Sequence, residues 1–193
     1  RYLWPGFAKE GISAMYEDSY FLGTQSRIND SIDLPATDSN YASEFVPVRL
    51  EKFNDTVNLL RSLSPSAQSI LDIGAATGDF LAIARDKGLS VSGIEISRYA
   101  SSVAREKHGF DFFESDFLDY PLTKKFDLIH MNHVFEHFPM PNPAIDKIDT
   151  LLNPGGLVYI EVPFQFNLVE TIMYICFKKR KKRVCHLFVL FRF

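Results

Sequence analysis

From residue 42 to residue 63, apolar side chains recur near every 3.6 residues: Phe45, Val48, Phe53, Val57, Leu60 and Leu63. This spacing predicts one amphipathic helix, with Pro47 near its first turn and Ser64-Pro65-Ser66 ending it. The pattern then changes. Ile70, Leu71 and Ile73 read as a short buried strand, broken by Gly74-Ala75-Ala76-Thr77-Gly78. Beyond the break, Phe80, Leu81, Ile83 and Ala84 return to helical spacing as far as Lys87-Gly88. Val91–Ile96 predicts a second strand, and Ser97 an N-cap for a helix over 98–107 that closes at His108-Gly109. Asp111–Glu114 predicts a third strand and Phe126–Met131 a fourth. A helix over 143–152 opened by Pro143, a turn at Asn153-Pro154-Gly155-Gly156 and a fifth strand at Leu157–Val162 complete the series. Strands alternating with helices pair in parallel, so the fold class is α/β with a doubly wound sheet. In such a sheet a ligand lies across the carboxyl ends of the strands.

A strand, a glycine turn and a helix open a nucleotide-binding unit, because a tight turn needs positive φ and the ligand must approach bare backbone. Glu95 ends the second strand 17 residues after Gly78, where an acid accepts hydrogen bonds from ribose hydroxyls. The dinucleotide pattern G-x-G-x-x-G is absent, since Ala76 and Asp79 stand in place of its second and third glycines. Asp79, at the helix start, and Asp72, before the turn, would both repel a pyrophosphate. A ligand with an adenosine end, no phosphate and a positive centre fits better, and S-adenosylmethionine is such a ligand.

Six segments, Asp72–Gly78, Gly93–Ser97, Glu114–Phe117, Phe126–Ile129, Glu136-His137 and Leu152–Gly156, stand in the order and spacing of a known family. Over residues 41–164 the chain resembles class I S-adenosylmethionine-dependent methyltransferases, nearest to the small-molecule branch that includes quinone-biosynthesis and sugar or polyketide enzymes. The resemblance implies a Rossmann-like sheet and S-adenosyl-L-methionine as methyl donor. It implies transfer to an O, C or N atom of a small-molecule acceptor. It places Asp72, Gly74, Ala75, Ala76 and Gly78 around the amino-acid end and turn, and Glu95 on the ribose. Ile96, Asp116 and Phe117 fall to the adenine, and Asn132 lies beside the methionine end. Residues 1–40 would form a cap over the cofactor, 41–163 the binding domain, and 164–193 an atypical C-terminal segment. Tyr41 matches a tyrosine that such enzymes carry near the cofactor.

His130, His133 and His137 cluster, and His133–His137 matches H-x-x-E-H, a zinc-protease pattern. Such a site needs a long helix and a third ligand downstream. Here the pattern follows a strand and meets Pro139, so no metal is expected. With His133 beside the methionine end of the cofactor and Glu136-His137 at the substrate mouth, His137 and His133 are the candidate bases for an acceptor proton. The alternative is that Glu136-His137 caps the loop and no base exists, since alignment alone accelerates a methyl transfer.

Charge changes the picture only at the C-terminus. The net charge is −3, yet residues 171–193 carry seven Lys or Arg and no acid, leaving 14 basic against 24 acidic residues before them. That body lacks the basic face needed for nucleic acid. The run Lys178–Arg183 reads as a solvated connector, with weak contact to an anionic membrane next and nucleic acid last. Cys176 and Cys185 have no metal or redox spacing and read as reduced thiols. No signal peptide and no apolar run of ~20 residues is visible, so a cytoplasmic protein is expected. Val184–Phe191 supplies one further strand and leaves no residues for the other strand of a hairpin, so the family's C-terminal hairpin is expected to be truncated or altered. That departure motivates a second reading, a non-catalytic cofactor-binding or regulatory protein; an NAD-dependent oxidoreductase is the third.

Overall fold

The computed structural model describes residues 46–121, 123–163 and 186–192, the last as backbone. Elements in chain order are α1 (Val46–Leu63), β1 (Ser69–Ile73), α2 (Asp79–Asp86), β2 (Ser90–Ile94), α3 (Arg98–His108), β3 (Phe126–Asn132), α4 (Pro141–Leu151), β4 (Leu152–Pro163) and β5 (His186–Arg192). Single 3-10 turns lie at Phe117–Asp119 and Phe135–His137. The sheet order is β2-β1-β3-β4-β5, with β2, β1, β3 and β4 parallel and β5 antiparallel to β4. The expected cap over 1–40, Tyr41, the run Lys178–Arg183 and both cysteines lie outside the described residues. No helix among the described residues is long and apolar enough to cross a membrane.

Strand side chains alternate between the two faces, and each face has its own core. On one, Ile70, Leu128 and Leu157 meet Val57 and Leu60 of α1, Phe80, Leu81 and Ala84 of α2, and Ala104 of α3. On the other, Leu71, Ile129 and Val158 meet Ala144, Ile148 and Leu151 of α4. Helices on both faces make the sheet doubly wound, as expected. The strands are nearly continuous apolar runs because both faces are covered.

Ser97 caps α3 by accepting from the Ala100 N–H at 3.2 Å, and Gly109 ends the helix in the left-handed region. Four expectations need correction. The apolar stripe of α1 is shorter than its spacing suggests: Val57 and Leu60 are buried, but Val48 is 65% exposed and Leu63 44%. Asp111–Glu114 makes only one bridge, Phe113 with Ile94, because Ser115 N–H bonds back to Phe113 O and turns the chain away. Helix α4 starts at Pro141, two residues early. Residues 153–156 do not precede β4 but bulge within it, between the pairs Phe126–Leu152 and Leu128–Leu157. At the sheet edge, β5 pairs antiparallel with β4 from Leu157 to Pro163.

Candidate functional site

Strands β1 and β3 end side by side, and their last residues turn a polar row into a cleft. Asp72, Gly74, Ala75 and Ala76 line it from β1 and the turn, with His130 and Asn132 from β3. Arg49 and Phe53 close it from α1, and Thr77, Asp79 and Phe80 from the start of α2. Of the residues expected at the cofactor, the cleft thus brings together Asp72, Gly74, Ala75, Ala76 and Asn132. Gly78, Glu95, Ile96, Asp116 and Phe117 lie outside its lining, as do His133 and His137.

The turn is built by local hydrogen bonds. Gly74 and Ala75 N–H both donate to Ile94 O, at 2.8 and 3.0 Å, which pins the turn to the end of β2. Gly74 sits at φ +76°, and a Cβ there would come within 2.3 Å of Val134 Cγ2. Only glycine fits on both counts. Ala76 (φ 48°) and His133 (φ 57°) hold the same left-handed conformation with a side chain, a strain concentrated at the strand ends.

Glu95 is 5% exposed, and its carboxylate is an anchor within the fold. Oε2 accepts from Ala76 N–H and Oε1 from Ser97 N–H, both at 2.8 Å. Burial pushes the acid above its ordinary value, and the backbone hydrogen bonds only partly offset this. Ile96 N–H adds a third backbone donor, and a carboxylate with about four lone-pair sites keeps the remainder. Asp116 Oδ1 accepts from Leu118 N–H at 2.7 Å and caps the short helix there. The ring of Phe117 is 4% exposed and packs edge-on to Phe138 in the core. Ile96 is half-buried beside Glu95.

Asp79 reverses the reading made from sequence. Its oxygens take Lys107 Nζ at 2.6 Å, Arg49 Nη2 at 2.9 Å, His108 Nε2 at 3.0 Å and Thr77 Oγ1 at 3.1 Å. Burial alone would raise its pKa, but hydrogen bonds from Lys107 and His108, with the charges of Lys107 and Arg49, hold it below the ordinary value. Asp79 is therefore a compensated charge, and what stands against a pyrophosphate is Asp72 with Glu95.

At the mouth, Glu161 is 1% exposed and forms an ion pair with Lys52. Tyr159 OH donates to Glu161 Oε2 at 3.3 Å, and burial raises that phenol's pKa. His133 lies between acids, Nε2 at 3.6 Å from Glu161 Oε1 and Nδ1 at 3.6 Å from Glu136 Oε1. His137 Nε2 is 3.9 Å from Glu136 Oε1. The H-x-x-E-H residues thus occupy a left-handed residue and a 3-10 turn rather than a long helix. Among the described residues no group of three or more His, Cys, Asp or Glu could hold a metal ion. Asn132 Oδ1 is buried without a hydrogen-bond partner among the described residues, and its residue lines the cleft. Arg49 and Phe53 were missed as lining. Their signal was an arginine four residues before a phenylalanine, on one helix face.

A family model described as a methyltransferase domain matches residues 44–188. An uncharacterised methyltransferase of Staphylococcus carnosus (strain TM300) is 30% identical over 112 residues, 55% of this chain and 54% of that protein. The ubiquinone biosynthesis O-methyltransferase of Azoarcus sp. (strain BH72) is 27% identical over 136 residues, 65% of this chain and 54% of that protein. The chain spans about half the length of these curated relatives. Among solved structures, the plantazolicin methyltransferase BpumL in complex with SAH aligns with a TM-score of 0.58. Its identity is 18%, over 88% of this chain and 75% of that one. Streptomyces venezuelae DesVI aligns with a TM-score of 0.53 at 25% identity, over 62% of this chain and 52% of that one.

Proposed function

The chain belongs to the methyltransferase domain family, and from that premise we propose that it moves the methyl group of S-adenosylmethionine to an oxygen, carbon or nitrogen of a small-molecule acceptor. The observation that carries this is the cleft's acceptor set. A buried acid, Asp72, and the unpartnered amide oxygen of Asn132 face a space walled by a glycine turn. Such a set suits a cation bearing an amino group and has no array of donors for phosphate. When bound, S-adenosylmethionine supplies a methyl carbon already activated by the sulfonium.

The chain's own residues then bind and orient. Asp72 takes the ammonium of the amino-acid end, and Arg49 puts a guanidinium into the same cleft for its carboxylate. Asn132 Oδ1 accepts from the remaining polar hydrogens of that end. Gly74, Ala75, Ala76 and Gly78 shape the turn. Glu95 takes the ribose hydroxyls with the lone pairs its backbone donors leave, and Asp116, Ile96 and Phe117 frame the adenine. His133, which lies between Glu136 and Glu161, and His137 beside Glu136 accept a proton from a hydroxyl or amine acceptor in this reading, which their nearness to these acids supports. Alignment of the acceptor supplies the remaining acceleration.

Calorimetric titration of the chain with S-adenosylhomocysteine and with NADH tests the cofactor. Micromolar binding of the former, weakened in Asp72→Ala, supports the reading; a folded chain that prefers NADH, or binds neither, overturns it. Transfer of a labelled methyl to screened acceptors then separates an enzyme from a cofactor-binding protein without turnover.

A further inference from the structure

Asp72 of β1, His130 of β3 and Tyr159 of β4 are register partners, so their side chains share one face of the sheet. The His130 ring lies flat on Phe80, with centroids 3.7 Å apart and planes at 11°, and nearly parallel to Tyr159 at 5.4 Å and 15°. Its Nδ1 is 2.7 Å from Asp72 Oδ1. Both residues line the cleft, yet they are only 2% and 3% exposed. A carboxylate only accepts, so the ring donates from Nδ1.

An imidazole clamped between two rings has no freedom to swing, and its donor has one fixed direction. A single N–H occupies one carboxylate oxygen, whereas a guanidinium would take both in a fork. We propose that His130 is a positioning residue for the cofactor. It fixes Asp72 through Oδ1 and leaves Oδ2 aimed into the cleft for the ammonium of the amino-acid end. This rests on the cofactor reading above and adds a residue that touches the ligand only through Asp72.

A pair of ligands separates positioning from mere packing. S-adenosylhomocysteine carries the amino-acid end; 5′-methylthioadenosine has the adenosine and lacks the ammonium. Both are titrated by calorimetry into the wild-type chain, into His130→Phe, which keeps the ring stack without the donor, and into His130→Asn, which restores a short N–H donor. The expected result is a loss of about tenfold for S-adenosylhomocysteine in His130→Phe. 5′-Methylthioadenosine should hold within about twofold, and His130→Asn should recover most of the loss. An unchanged S-adenosylhomocysteine affinity overturns the proposal, and so does an equal loss for both ligands. If His130→Phe does not fold, His130→Leu takes its place under the same criteria: a loss confined to S-adenosylhomocysteine supports positioning, and an unchanged affinity or a loss common to both ligands overturns it. A wild-type chain that binds neither ligand removes the cofactor reading and this inference with it.

Discussion

Replacing Asp79 by Asn removes the one negative charge against which Arg49, Lys107 and His108 converge. The three side chains differ in how much solvent they keep: Arg49 is 12% exposed, His108 15% and Lys107 51%, against 3% for Asp79. Breaking a buried pair by deleting one partner costs about 3–5 kcal/mol, since the remaining charge stays desolvated. A pair with one half-exposed partner is worth about 0–1 kcal/mol. Arg49 sets the larger share and Lys107 the smaller, and the asparagine oxygen still accepts one hydrogen bond. The expected loss is therefore about 2–4 kcal/mol, a large part of the ~5–15 kcal/mol that holds a domain together. With a urea dependence of ~2 kcal/mol per molar, the midpoint should fall by about 1–2 M. The pH dependence fixes the sign. The folded-state pKa of Asp79 lies below its ordinary 3.8, so its stabilisation is present above 3.8 and is lost as pH falls through the folded value. The gap between wild type and Asp79→Asn should be narrower at about pH 3 than at about pH 5. A midpoint shift worth less than ~1 kcal/mol, or a gap that stays constant into acid, refutes the compensated-charge account.

Two further substitutions probe the turn. Gly74→Ala pays about 1–2 kcal/mol for left-handed backbone and also drives a Cβ to 2.3 Å from Val134 Cγ2. Val134→Ala in the same chain should return the clash part only, so thermal melts should rank wild type above the double variant and the double above Gly74→Ala; no recovery in the double variant would sink the steric account. Glu95→Ala strips the acceptors from Ala76 and Ser97 N–H, and at about 1–3 kcal/mol for each buried group left unmade the ligand-free chain should lose stability. Equal urea midpoints without ligand would show that Glu95 does not anchor the turn.

The parts legible in the sequence are those whose cause is local. Strand β1, its turn and α2 follow from a change of apolar period within a few residues. Ser97 and Gly109 bound α3 by chemistry that needs no distant partner. The parts missed depend on contacts far along the chain. Asp79 lies about 30 residues from both Arg49 and Lys107, so sequence shows an acid at a helix start and not the cations around it. Val48 keeps the helical period, yet no described residue packs over that end of α1 closely enough to bury it. Asp111–Glu114 has strand composition, but only the turn at Ser115 decides that it pairs for a single residue.

The candidate site illustrates the same division at the level of the sheet. Read singly, Ile70-Leu71-Asp72-Ile73, Leu128-Ile129-His130-Met131 and Val158-Tyr159-Ile160-Glu161 are apolar strands, each with polar intruders. Register aligns the intruders. Ile70 and Leu128 are partners low in the sheet, Asp72, His130 and Tyr159 form the next row on that face, and Asn132 and Glu161 the row above. One face thus changes from apolar to polar toward the carboxyl ends, where the covering helices place Arg49, Phe53 and Phe80. A buried polar residue costs free energy unless it is paired. Asp72 and His130 meet that cost together and Glu161 meets it with Lys52 and Tyr159, while Asn132 Oδ1 has no partner among the described residues. The unmet acceptor lies where the strands end and the cleft begins, which is why the chemistry of this chain is sought there rather than at its histidine-rich mouth alone.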